Sequence, residues 1–400
     1  MLSVDQAWGL LKQHAAPLSA EEVSTLDANG LCLAETVTSP IDSPPFDKSM
    51  VDGYAVIAGD TGLHRAVVEE VVAGQTPSRL VAPGEAVRIM TGAPMPKGAD
   101  AVVKREDTDE SDPAFVGMLD CKPKPGKCVM HRGAAFQSGE TLLQPPKKLG
   151  PADLALLTEI GRVSVRVVPR PKAALLPTGD ELVPFDQAPA PGQIRNSNGP
   201  MLTALLADLR VPTENLGIGR DDPEDLARRI EEGLQRDVLI LSGGVSAGDK
   251  DLVPDILESL GVRKVLHKVR VKPGKPIWFG VREKEGRRSL VFGLPGNPVS
   301  AFVAFHLFVR PMLSAVSGEV FQTPMTQPIA LAKEVSHKGP RPTYQPAIVR
   351  RDAPQATVEV LPWVGSADLS TLSRANALAA LPAGDYRLRA SELVEILPLC

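Results

Sequence analysis

Apolar and polar positions change rhythm along this chain. The opening MLSVDQAWGLLKQH repeats its apolar residues at helical spacing, with Ser3 placed where a cap belongs. A connector rich in small residues follows, to about residue 38. From SPIDSPPFDKSMVDGYAVIAGD onward, short alternating runs are divided by Gly and Pro. VVEEVVAG, AVRIM, DAVVKRED and the stretch around FVGMLD read as strands, which predicts a β-rich domain over 39–137. PADLALLTEIG (151–161) has helical spacing and VSVRVVP (163–169) alternates as a strand. These two are expected to join the first residues in one N-terminal domain (1–38 plus 138–170), leaving the β-rich part as an insertion.

Residues 171–320 alternate differently. AALLPTGDEL reads as strand then loop, NGPMLTALLADL as helix, and GIGRDDPEDLARRIEEGL as a second helix behind a strand. Its acid-rich start suits the positive end of a helix dipole. DVLILSGGVSAGDKD, VLHKVRV and SLVFGLPG supply further strands, and VSAFVAFHLFVRPMLSAVSG a long helix. This alternation predicts a three-layer α/β domain with a mostly parallel sheet, whose ligand sits off the carboxyl ends of the strands. The loops after Leu176, Leu241 and Leu294 are therefore the ones to watch. Short strands and prolines over 321–400 predict a small C-terminal β domain.

Composition narrows the class. With 38 prolines and 34 glycines spread along 400 residues, many turns are expected. The formal net charge of −4 gives no electrostatic case for nucleic acid or a membrane surface. The N-terminus lacks a basic leader with a long apolar core, and the AFVAFHLFV run is read as a core helix interrupted by His306. Cys32, Cys121, Cys128 and Cys400 form no C-x-x-C pair, so reduced thiols and a cytoplasmic location are expected.

The chemistry concentrates in loops. After the strand ending at Leu241, Ser242, Gly243, Gly244, Ser246 and Gly248 form a small-residue turn leading into a helix. Such a turn lets backbone N–H groups approach a phosphate. Asp249 and Asp251 beside a phosphate would call for Mg²⁺ between them; as part of a tight turn they would serve as an N-cap instead. PTGDEL sets Thr178, Gly179, Asp180 and Glu181 at a strand end, with Glu181 a candidate metal ligand or a solvated turn acid. GLPGNPVSA offers Pro295, Gly296, Asn297 and Pro298 at a helix start, with Asn297 as its cap and free helix amides for an anion. VKPGKP carries Lys272 and Lys275, two point charges for an oxyanion or simply a solvated basic loop. Upstream, Asp52 and Thr91 stand among turn residues.

PPFDKSMVDGYAV, TGAPMPKGADAVV, PTGDEL, SGGVSAGDKD, VKPGKP and GLPGNPVSA, in this order, resemble the MoeA family of molybdopterin molybdenumtransferases, related to the E domain of gephyrin. The resemblance implies four domains, an elongated homodimer, and a site shared between one subunit's α/β domain and its partner's β domain. It implies insertion of molybdenum from molybdate into adenylylated molybdopterin, with Mg²⁺ as cofactor and AMP released. Molybdopterin adenylyltransferase and other cofactor-biosynthesis proteins are implied as partners. Asp52 and Thr91 match positions that reach the site from the partner subunit. Glu181, Asp237 and Asp251 match acidic positions, Lys272 and Lys275 basic ones, Pro295, Asn297 and Pro298 the second loop, and Ser366 a C-terminal position near the cleft.

Three positions depart from that pattern. Ala134 and Ala135 stand where the family carries an acidic pair after Arg132-Gly133, and Pro346 where a basic residue is common. They motivate a rival reading, a molybdopterin-binding carrier that has lost catalysis. A second rival, adenylyl transfer to molybdopterin, accounts for the α/β part alone.

Overall fold

The computed structural model describes residues 1–119, 122–245, 252–351 and 355–399. Its centre is a six-stranded sheet in the order Thr213–Asn215, Ala173–Pro177, Val238–Ser242, Arg287–Leu294, Trp278–Lys284, Arg263–His267. The first four strands are parallel and the last two pairings are antiparallel. Val238–Ser242 is buried at all five positions, as a central strand covered on both faces must be. Leu175, Ile240 and Phe292 point to one layer, with Leu202 and Leu206 of helix Asn198–Asp208 and with helix Pro298–Ala304. Leu176, Leu239, Leu241 and Val291 point to the other, against Leu226 and Ile230 of helix Pro223–Gly233 and against Val253 and Leu257. Each buried Leu, Ile or Val contributes about 1.5–3 kcal/mol, so these two faces dominate the domain's stability.

Trp278–Lys284 is a strand that periodicity does not reveal. It forms a hairpin with Arg287–Leu294 through Glu285 and Gly286, both at positive φ. The long apolar helix spans Pro298–Val316, with a π-helical stretch at Phe305–Val309. It is the one helix among the described residues long and apolar enough to cross a membrane, and 83% of its apolar window is buried within the fold.

The segments flanking this domain are β-rich. Ala101–Lys104, Gly53–Val56, Glu85–Ile89, His64–Val71, Phe115–Met118 and Thr108–Asp112 form one six-stranded sheet. Strands from either side of it in sequence pair with each other: Glu21–Ser24 with Ser164–Val168, and Cys32–Leu33 with both Ser164–Val168 and Lys147–Lys148. The connector after the first helix thus carries short strands. That helix, Val4–Lys12, is closed by Ser3 and Gln6 in a reciprocal capping box. It packs Ala7 and Leu11 into the α/β core, and Trp8 Nε1 donates to the Leu307 carbonyl at 2.8 Å. A closed five-stranded barrel, Gln327–Leu331, Thr357–Val360, Thr343–Arg350, Ala377–Leu381 and Leu393–Pro398, ends the chain.

Candidate active site

Three parallel strands, Ala173–Pro177, Val238–Ser242 and Arg287–Leu294, end on the same side of the sheet. Their following loops enclose a cleft of about 670 Å³. Thr178, Gly179 and Glu181 line it from the first loop, Ser242, Gly243 and Gly244 from the second, and Pro295, Gly296, Asn297 and Pro298 from the third. Ala367 and Leu369 approach from the C-terminal region, and Pro276 from the lysine loop.

The glycine requirement is steric. Gly243 has φ +99°, and a Cβ there would stand 2.4 Å from the Thr178 carbonyl oxygen. Gly179 has φ +144°, and Glu181 Oε2 lies 2.5 Å from where its Cβ would be. The first two loops therefore touch through backbone, and the Glu181 carboxylate folds over Gly179.

Asn198, which the sequence did not single out, ties the second loop to the third. Its Nδ2 donates to Ser242 Oγ and to the Gly296 carbonyl, both at 2.7 Å. A carbonyl can only accept, so the amide orientation is fixed, with Oδ1 pointing the other way. Asn198 Oδ1 and Thr178 Oγ1 are buried without a hydrogen-bond partner among the described residues. Both residues line the cleft, so two buried polar atoms without a partner among the described residues lie beside it, where such atoms are normally paired.

Two carboxylates stand at the mouth. Glu181 and Asp221 both line the cleft, are exposed, and make no side-chain ion pair among the described residues. In the sequence Asp221 is distinguished only as part of an acid-rich helix start; its neighbour Asp222 is the cap, accepting from the Asp225 N–H. Asp180 Oδ1 accepts from the Asp221 N–H at 3.1 Å, joining the first loop to this helix start. Asn196 and Arg195 also line the cleft and were missed. The signal available for them was polarity, the run RNSN directly before an apolar helix.

Several expected residues are placed differently. Asp237 precedes Val238–Ser242, at the opposite end of that strand from the cleft, where its Oδ2 accepts from the Lys172 N–H at 2.7 Å. Five residues of strand, about 16 Å, separate it from the glycine loop, so Asp237 sits at the far end of the central strand and is no part of this cleft. Asn297 occupies the cap position of Pro298–Ala304 but its side chain makes no capping bond. The helix amides are also less free than expected: Pro298 has no N–H, and that of Val299 donates to the Ser366 carbonyl at 3.0 Å. Ser366 thus meets the cleft's third loop through its backbone. Lys272 and Lys275 are exposed on the adjoining loop, but only Pro276 of it lines the cleft. The Lys272 backbone is held by the barrel, donating to the Pro342 carbonyl and accepting from the Tyr344 N–H. Ser246, Gly248, Asp249 and Asp251 lie outside the described residues.

Asp52 and Thr91 come together in the six-stranded β region. The Thr91 N–H and hydroxyl both donate to Asp52 Oδ1, at 2.7 and 2.8 Å. The backbone bond first, then the hydroxyl, holds the Asp52 carboxyl below its ordinary range. Neither residue lines the cleft. Ala134 and Ala135 are exposed in a loop fixed by Arg132, whose Nε donates to Asp42 and whose N–H donates to Asp47. Pro346 is buried in the barrel strand Thr343–Arg350, opposite Leu378. No group of three or more metal-ligating side chains occurs among the described residues.

Comparison with known proteins covers nearly all of this architecture. Residues 2–161 match the MoeA N-terminal region (domain I and II), 174–315 the probable molybdopterin binding domain, and 328–399 the MoeA C-terminal region (domain IV). A molybdopterin molybdenumtransferase from Nostoc sp. is 36% identical, over 95% of this chain and 88% of the relative. One from Synechococcus elongatus is 34% identical, over 99% of each. The crystal structure of a molybdopterin biosynthesis MoeA protein from Pyrococcus horikosii has a TM-score of 0.81 at 31% identity, covering 100% of this chain and 99% of that one.

Proposed function

The chain belongs to the MoeA family, and from that premise we propose that it is a molybdopterin molybdenumtransferase of molybdenum-cofactor biosynthesis. The reaction takes adenylylated molybdopterin and molybdate, cleaves the phosphoanhydride, leaves molybdenum on the dithiolene sulfurs and releases AMP. The observation that carries this reading is the cleft itself: a glycine-lined backbone contact between two loops, with two carboxylates at its mouth that make no ion pair among the described residues.

Glu181 and Asp221 fit Mg²⁺, which takes one or two carboxylates together with substrate phosphate and water. Bound there, the ion would supply charge neutralisation at the anhydride oxygens. Asp249 and Asp251 join this ligand set as proposals from the motif. The protein's own part is to bind and orient. Ser242 accepts from Asn198, which leaves its O–H to donate toward an anion. The loops around Gly243 and Gly296 fix the cleft floor. Lys272 and Lys275, on a loop anchored to the barrel, stabilise developing negative charge. Asp52 and Thr91 complete the site from the partner subunit of a homodimer, since in their own chain they stand outside the cleft. We place the protein in the cytoplasm, in keeping with free thiols at Cys32 and Cys128. Its substrate would be supplied there by an adenylyl transfer to molybdopterin.

A second reading, a carrier without turnover, draws on exposed Ala134 and Ala135 and on buried Pro346, none of which can ligate a metal or hold a charge. One experiment separates the two. Purified protein is mixed with adenylylated molybdopterin and Mg²⁺, and AMP is followed with and without molybdate. The transferase gives molybdate-dependent AMP; tight binding with no AMP would instead establish the carrier.

A further inference from the structure

We propose that Arg195 is a phosphate-binding residue of the cleft, gripping a phosphoryl group with the two terminal nitrogens of its guanidinium; this rests on the reading that the cleft takes a nucleotide-bearing substrate. Among the described residues lining the cleft, Arg195 is the one cation, and the other charged groups are Glu181 and Asp221. Two carboxylates cancel the charge of one Mg²⁺ held between them, so the phosphate's own negative charge is still left for a positive side chain to meet. Lys272 and Lys275 stand on the adjoining loop and do not line this cavity, so within the cavity itself that side chain is, among the described residues, Arg195.

The local backbone delivers it there. Leu182–Val183 and Ile194–Arg195 form a short parallel pair, with Val183 opposite Arg195. The Ile194 N–H donates to the Glu181 carbonyl at 2.8 Å, and the Asn196 N–H to the Val183 carbonyl at 2.9 Å. Glu181 and Arg195 are thereby fixed as neighbours on one flap. Arg195 Nε donates to the Gln187 carbonyl at 3.2 Å, which orients the planar group. Its terminal nitrogens make no hydrogen bond or ion pair among the described residues. A guanidinium held at Nε and open at its outer edge is arranged for two parallel bonds to a phosphate.

The test uses AMP and adenosine as probes with the intact protein, by calorimetry at two ionic strengths. Arg195→Gln is expected to weaken AMP about tenfold or more, the usual scale for a lost charge-assisted bond. Adenosine affinity is expected to stay the same, and the salt dependence of AMP binding to flatten. Arg195→Lys is expected to keep the salt dependence while losing part of the affinity, because a point charge lacks the fork. With adenylylated molybdopterin, KM rises by more than kcat falls. Unchanged AMP affinity and salt dependence in Arg195→Gln, with unaltered protein binding AMP, would overturn the assignment and leave the transferase reading standing. Equal losses for AMP and adenosine would show general damage to the cleft, and would also overturn it. An unaltered protein that binds neither AMP nor adenylylated molybdopterin would overturn both.

Discussion

Asn198 shows how one side chain can decide whether two loops form one site. It is 7% exposed, and its amide bridges Ser242 and Gly296. Asn198→Ala leaves the Gly296 carbonyl without this donor, and should lower stability by about 1–3 kcal/mol in denaturant unfolding. Turnover should fall further than stability alone explains, because the loops lose their register. At Asp52, the two Thr91 bonds favour the charged carboxylate, so Thr91→Val, which removes the hydroxyl donor, is expected to raise the Asp52 pKa. A carboxyl titration followed by NMR measures this directly, and an unmoved Asp52 would refute it. These residues were unequally legible. Thr178, Gly179, Gly243 and Gly244 follow strand ends, and that position alone is what brings them to the cleft lining. Asp237 shares a motif with the glycine loop but lies across a whole strand from it. Asp221 and Asn198 make their contribution through partners distant in sequence, Asp180 and Gly296, which no local pattern discloses.

At the scale of elements, the glycine turn and the long helix carry the sharpest expectations. Gly243→Ala would set a methyl against the Thr178 carbonyl at a φ unsuited to an L side chain. It should abolish ligand binding while the sheet, whose strands end before it, stays folded by circular dichroism. His306 sits in the π-helical stretch, buried between Phe302 and Phe305, with Nε2 unpartnered among the described residues. Burial first, with Arg310 adding to it, lowers its pKa to about 4 from 6.5. The unfolded chain therefore takes this proton first. Stability should fall as pH drops from about 6.5 to about 4, by about 3 kcal/mol, and this contribution should level off below. His306→Leu should remove that slope from a series of denaturant midpoints; a slope that persists would assign the acid sensitivity elsewhere. The helix was plain from its apolar run, but the π turn was not, since it keeps the same apolar composition. Trp278–Lys284 is hidden in the sequence because prolines precede it and charges close it, and its pairing with Arg287–Leu294 and Arg263–His267 is what identifies it as a strand.

The whole molecule is a set of β-rich units around one α/β sheet, and this much was written in the alternation of strand and helix. Which units share a site was not. The cleft lies at the α/β sheet with the C-terminal region beside it, while Asp52 and Thr91 stand apart in the six-stranded β region. If a partner subunit supplies them, Asp52→Asn and Glu181→Gln should each be inactive alone. Mixed and reassociated, they should recover about a quarter of full activity, because half the dimers then hold one intact site. No recovery from a mixture shown to exchange subunits would place Asp52 outside the shared site.

The most direct test of the central claim is the ratio of molybdenum to AMP in a single turnover. Purified protein is given adenylylated molybdopterin, Mg²⁺ and molybdate, and metal in the pterin product is counted beside the AMP released. One molybdenum per AMP is the predicted result, and would show that Ala134, Ala135 and Pro346 leave the transferase intact. AMP without molybdenum in the pterin, or bound substrate with no AMP at all, would contradict it.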